Sequence, residues 1–287
     1  MQWNNKFIYP KSTRSIVQGS RHYSVNEENL PSVTTILKAT ESEEKKAKLA
    51  EWKNRVGYKQ AEIISREATS RGSSMHDYLE KFLLGKLNMD LLGDNTHEKM
   101  MADQIIENGL RNKLTEIWGC EATLFYPGKY AGAADCIGIY ENKETIIDFK
   151  QSNKPKKDEW IDDYYLQSAA YSLAHNKVHG SNITQVAILL CTKDNIFQRF
   201  IVQGERLINY QNQFMQKVEK FLLGKLNMDL LGDNTREKMM ADQIIENGLR
   251  NKLTEIWGCE ATLYYPGKYA GAADCIGIYE NKETIID

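Results

Sequence analysis

Asp148, Phe149 and Lys150 follow the apolar run Thr145-Ile146-Ile147, and Asp135 lies upstream in the strand-like GAADCIGIYE. In a strand, residues i and i+2 share a face, so Asp148 and Lys150 point one way while Phe149 points into the core. A neighbouring strand from a short hairpin brings Asp135 beside them. Two carboxylates on one face repel, and each is desolvated, unless a cation sits between them. Hard oxygen ligands of this kind suit Mg²⁺ or Mn²⁺. An adjacent lysine can then orient and stabilise a hydroxide attacking a phosphodiester. Carboxylate-x-Lys alone is a weak signal, since it recurs at Glu43-Glu44-Lys45, Glu51-Trp52-Lys53 and Glu141-Asn142-Lys143, and most such triplets are solvated charge pairs. Only Asp148-Phe149-Lys150 ends an apolar strand behind a second strand bearing an aspartate.

Two further pairs have helical spacing. His76 and Glu80 are i, i+4 in RGSSMHDYLEKFLLG, and Gln167 and Tyr171 are i, i+4 in YYLQSAAYSLA. Residues so spaced share a helix face. Taken singly, the first is most simply a His–Glu pair at the edge of an apolar stripe. The second is most simply a partly buried tyrosine beside a surface glutamine.

The elements that must hold these residues follow from periodicity. Residues 21–37 read as an extended segment, an Asn/Glu-rich turn and an apolar β-branched run. From Glu41 to Thr69 the pattern is charged and helical. A helix is predicted over 71–85, with Ser74 as its cap, Gly85 as its close, and Met75, Tyr78, Leu79, Phe82 and Leu83 as its stripe. Another helix is predicted over 98–118. Three strands are predicted at 120–127, 132–141 and 144–151, a helix at 158–175, strands at 184–192 and 196–203, and a last helix at 205–222. The order implies an α/β fold, a mixed sheet flanked by helices.

The chain also repeats itself. Residues 219–287 copy residues 80–148 with two differences, His97 against Arg236 and Phe125 against Tyr264. Two near-identical copies separated by unrelated sequence do not make a solenoid. The functional unit is therefore expected over residues 1–222. The remainder, 223–287, reads as a partial duplicated tail, either a recent duplication or an artefact of sequence assembly. The second copy ends at Asp287, without the Phe and Lys that follow Asp148, so one active site is expected.

Composition narrows the class. Charged residues make up 26% of the chain and the net charge is −2, so no global basic excess announces nucleic acid. Two local basic stretches, residues 1–26 and KQSNKPKK at 150–157, read by themselves as solvated surface. No CxxC pair exists, which argues against a structural zinc site or a four-cysteine iron–sulfur cluster. Free thiols, no apolar signal core in MQWNNKFIYPK and no membrane-spanning run predict a cytoplasmic protein.

In order, GSSMHDYLE from Gly72, GAAD, DFK and QSAAY resemble the four motifs of the RecB-like branch of the PD-(D/E)XK nuclease superfamily. LPSVTTIL at 30–37 and the Arg-Gly before the histidine helix are similar to the mitochondrial genome maintenance exonuclease group and its phage relatives. The resemblance covers nearly all of residues 20–222 and implies a restriction-endonuclease-like sheet. It implies His76, Asp135, Asp148 and the Phe149 carbonyl as ligands of Mg²⁺ or Mn²⁺, and Lys150 as the catalytic lysine. Gln167 would orient phosphate or water, Tyr171 would support it, and Glu80 would stand behind the ligands or join them. Helical residues 41–69, with Lys45, Lys46, Lys53 and Arg55, would form an arch admitting single-stranded DNA, gripped through phosphates and stacked bases. The implied activity is a metal-dependent DNA exonuclease acting on single strands or flaps in phage or bacterial DNA replication, recombination or repair. A structure-specific or restriction-type endonuclease and a non-catalytic DNA-binding protein of the same fold are the alternatives.

Overall fold

The computed structural model describes residues 1–17, 19–87, 96–229, 244–250, 252–265 and 269–286. The chain divides into two compact units, residues 1–126 with 130–214 and residues 127–129 with 215–287.

The first unit is built on a six-stranded mixed sheet flanked by helices. Its strands are β1 (Gln2–Trp3), β5 (Leu114–Tyr126), β6 (Tyr130–Tyr140), β7 (Lys143–Ser152), β8 (Gln185–Thr192) and β9 (Phe197–Gln203), in that spatial order. β5, β6 and β7 are antiparallel, and β7 and β8 are parallel. Parallel neighbours need a crossover, supplied by α5 (Asp162–His179). A separate three-stranded meander, β2 (Thr13–Val17), β3 (Ser20–Val25) and β4 (Glu28–Pro31), precedes α1 (Val33–Ala39).

Alternation in β7 sorts its side chains between two layers. Ile147 and Phe149 join Met75, Leu79 and Leu83 of α3 (Tyr58–Leu83) and Met101 and Ile105 of α4 (His97–Ile105) in one core. Each such fully buried side chain contributes about 2 kcal/mol of hydrophobic stabilisation. On the opposite face lies α5, whose Tyr165, Leu166, Ala169 and Ala170 are buried. α6 (Glu205–Asp229) sends Tyr210 against Tyr165 and Phe214 against Tyr130.

Three sequence expectations give way to tertiary packing. The histidine helix does not start at Ser74. It runs unbroken for 26 residues from Tyr58, and Gly57 at φ 86 separates it from α2 (Glu43–Val56). Gly72 persists inside it because a Cβ there would sit 3.3 Å from the Gln151 side chain. The helix expected over 98–118 stops at Ile105, passes through one π turn at Ile106–Leu110, and leaves Trp118 on β5. Asn112 at φ 61 makes the turn that follows into β5, a conformation Asn tolerates. Within the β-branched run, Ser32 accepts from the Thr35 N–H at 3.0 Å and starts α1. β-branching lowers helix propensity only slightly, and the cap with burial of Val33 and Ile36 outweighs it.

The second unit contains β10 (Leu253–Tyr265), β11 (Tyr269–Tyr279) and β12 (Lys282–Ile286), an antiparallel meander. Asp287 lies outside the described residues.

Candidate active site

The β6–β7 ladder runs from Tyr140–Lys143 to Cys136–Ile147 and stops there. One step further, Asp135 stands opposite Asp148. The Phe149 N–H instead donates to the Asp135 carboxylate at 2.6 Å. A side chain thus replaces the partner strand's carbonyl, and the opening strands leave room between them. β7 keeps its eight-residue parallel register with β8 through this region, so its backbone stays fixed on the other side.

Around that opening the structure gathers side chains from four elements. Lys150 Nζ lies 2.5 Å from Asp148 Oδ2, and Asp148 is only 1% exposed. Burial, reinforced by Asp135, pushes the Asp148 carboxyl above its ordinary range while Lys150 pulls it back. Burial works against the Lys150 ammonium, but Asp148 and Asp135 outweigh it and hold it above its usual value. His76, from α3, places Nδ1 3.6 Å from Asp135 Oδ1, and its ring meets that of Phe149 edge-on at 6.2 Å. From α5, Gln167 donates to the Tyr171 hydroxyl at 3.2 Å. A Cβ at Gly132 would lie 2.7 Å from the Tyr171 ring, so the first residue of GAAD must lack a side chain for α5 to close on β6.

Glu121 on β5 completes the group. Ligand atoms of His76, Glu121 and Asp135 all lie within 4.8 Å of one another. Glu121 has φ 47, between the ladder pairs Cys120–Cys136 and Ala122–Ala134. A non-glycine residue held there costs about 1–3 kcal/mol, and such outliers cluster at functional sites. Burial, then Asp135, raises its carboxyl to about 7. One imidazole nitrogen and two carboxylate oxygens form a donor set that fits a divalent cation, which would relieve this crowding of negative charge.

These residues border a cavity of about 370 Å³, lined by Asp135, Lys150 and Gln167 and also by Arg14 and Arg21 of the meander. Of the predicted site residues, His76, Asp135, Lys150, Gln167 and Tyr171 line it; Asp148 is buried against Lys150, and the Phe149 ring packs in the core, the ligand implied there being its backbone carbonyl. Glu80, half-buried one turn beyond His76, stands outside the three-residue ligand group but adds negative potential at Glu121. In the expected arch, Lys45 pairs with Asp163 and Lys46 with Glu43, and α2 buries none of its residues.

With that geometry in view, known proteins show similarity. Over 136 residues the chain is 35% identical to mitochondrial genome maintenance exonuclease 1 of Mus musculus, covering 45% of this chain and 38% of the relative. The Xenopus tropicalis protein of that name is 27% identical over 206 residues, 67% of this chain and 57% of its own length. The Homo sapiens protein is 25% identical over 219 residues, with 70% and 60% covered. The chain therefore spans between about two fifths and three fifths of these relatives. No family model matches it. The similarities support a nuclease relationship.

Glu121 escaped the sequence reading. CEATLFYP offers a lone acid in an apolar run, and only its left-handed backbone and its pairing across from Asp135 mark it. Arg14 and Arg21 escaped it as well. Their basic stretch read as solvated surface, because nothing in the sequence places the meander at the cavity.

Proposed function

We propose that the first unit is a metal-dependent deoxyribonuclease acting as an exonuclease on single-stranded or flap DNA. The observation that carries this reading is the convergence of His76, Glu121 and Asp135 beside the buried Asp148–Lys150 pair. The names of the similar proteins support the exonuclease class. Mg²⁺ or Mn²⁺ held by His76, Glu121 and Asp135, with Asp148 close by, would supply Lewis-acid polarisation of the phosphate. Lys150, kept charged by its two carboxylate neighbours, offers its ammonium to the scissile phosphate oxygens and orients the attacking water. Gln167, held by the Tyr171 hydroxyl, presents an amide to the same phosphate. The charge of Asp148 and Asp135 prevents Lys150 from giving up its proton in the resting site.

The proposed catalytic domain is residues 1–222, acting in replication, recombination or repair in the cytoplasm of a bacterial or phage-infected cell. Free cysteines support a reducing compartment, and among the described residues no helix is long and apolar enough to cross a membrane. Lys150→Ala should abolish Mg²⁺-dependent degradation of linear single-stranded DNA while leaving the fold intact by circular dichroism; wild-type rates in that variant would sink the assignment. A covalently closed single-stranded circle should survive the wild-type enzyme, and nicking of it would make the protein an endonuclease. A chain ending at residue 222 should keep the activity, and its loss would move the domain boundary.

A further inference from the structure

Two arginines of the β2–β3 hairpin line the catalytic cavity, and among the described residues no acid pairs with the guanidinium of one of them. Antiparallel register sets Arg14 opposite Tyr23 and Ile16 opposite Arg21, which puts these four side chains on one face of the meander. That face is anchored: Tyr23 and Val25 are buried with Leu30, Phe125 and Ala131. Both arginines line the cavity that holds Asp135, Lys150 and Gln167.

The two differ in what they already hold. Arg14 stacks its guanidinium 5.6 Å from the Tyr23 ring centre and approaches Glu121 to 4.0 Å. Arg21 is exposed, and among the described residues no acid partners its guanidinium. Its backbone carbonyl does the structural work, accepting from the Ser32 N–H and the Thr35 hydroxyl, each at 2.9 Å. A long flexible cation held beside a catalytic cavity without a partner is available to a ligand. With a divalent cation on His76, Glu121 and Asp135, the remaining charges of the wall are Arg14, Arg21 and Lys150. A planar guanidinium fork matches phosphate oxygens in two-point contact.

We infer that the β2–β3 hairpin is a phosphate subsite. Arg21 binds a phosphodiester of the substrate strand next to the one cleaved at Lys150, and Arg14 steadies it from Tyr23 and Glu121. The inference rests on the nuclease reading given above.

The test is steady-state cleavage of a labelled single-stranded oligonucleotide with Mg²⁺, intact or carrying one uncharged methylphosphonate linkage at successive positions. Arg21→Ala should raise KM about tenfold with little change in kcat, as expected for a lost charge-assisted contact made equally in ground and transition states. Arg21→Lys should recover part of that loss. The slope of log affinity against log salt should fall by about 0.7. Wild-type enzyme should lose efficiency when one particular linkage is neutralised, and Arg21→Ala should be indifferent to that same linkage. Wild-type KM in Arg21→Ala, or undiminished sensitivity at every linkage, would overturn the subsite while leaving the nuclease reading standing. A wild-type protein that degrades no DNA at any Mg²⁺ or Mn²⁺ concentration removes both.

Discussion

Residues 114–148 and 253–287 differ only at Phe125 against Tyr264, and they build the same hairpin in two settings. Cys120 pairs with Cys136 and Cys259 with Cys275, and both first strands carry register shifts at the same two places. The turns agree as well: Glu141 and Asn142 have φ 48 and 65, and Glu280 and Asn281 have φ 47 and 63. Two positive φ values suit a two-residue hairpin that follows the twist of its strands. At Gly138 and Gly277 alike a Cβ would collide at 1.9 Å with a carbonyl of the first strand, that of Glu116 or Glu255. Local chemistry is thus copied with the sequence. Burial is not. Ile146 is fully buried between β6 and β8, whereas its counterpart Ile285 is 58% exposed and, among the described residues, β12 pairs only with β11. Asp135 accepts from Phe149 and meets His76, while Asp274 is exposed. The sixteen described residues GAADCIGIYENKETII belong to the site in one place and present Asp274 to solvent in the other.

The largest effect should come from the paired aspartates. Asp135→Asn should cut nuclease activity on the order of 10³-fold, by loss of a metal ligand and of one of the two charges that hold Lys150 protonated. Asp274→Asn should leave the rate within about twofold, and an equal loss in both variants would mean that the second hairpin shares the chemistry. Next comes stability. Ile146→Ala should cost about 3 kcal/mol in urea unfolding by opening a core cavity, against at most about 0.5 kcal/mol for Ile285→Ala. Similar costs would show that Ile285 is covered as Ile146 is. The smallest effect is a pH dependence. Because the Glu121 carboxyl is raised to about 7 from its ordinary 4.5, the folded, metal-free protein binds a proton there more tightly than the unfolded chain. Its contribution favours folding below pH 4.5 and is lost as pH rises toward 7. Thermal melts in chelator should therefore decline across that window, and Glu121→Gln should flatten the decline. A melt of Glu121→Gln that follows the wild-type slope would refute the shift.

Much of the frame was legible because it is local. The strands at 120–151, the crossover helix and the last three elements follow from apolar periodicity and turn residues, and the alternation of Asp148, Phe149 and Lys150 needs only a strand. Errors fell where long-range packing decides. Gly72-Ser73-Ser74 looks like a helix start, yet α3 continues through it because Ala61, Met75, Leu79 and Leu83 are buried along one stripe. Leu114 and Ile117 continue a helical pattern, but β-pairing with Tyr140 and Gly138 recruits that segment into the sheet.

By itself the sequence determined the hairpin and its turns, the face shared by Asp148 and Lys150, and the helical pairs His76–Glu80 and Gln167–Tyr171, since each depends on neighbours within a few residues. Only the tertiary structure decided which of these meet. It brought His76 from α3 to Asp135 on β6, turned Glu121 into their company, and put Arg14 and Arg21 on the same cavity. It also moved the carboxyls of Asp148 and Glu121, because desolvation and charge proximity belong to groups far apart in the chain. Among the described residues the second copy keeps the pairing and turns of the hairpin and leaves Asp274 exposed.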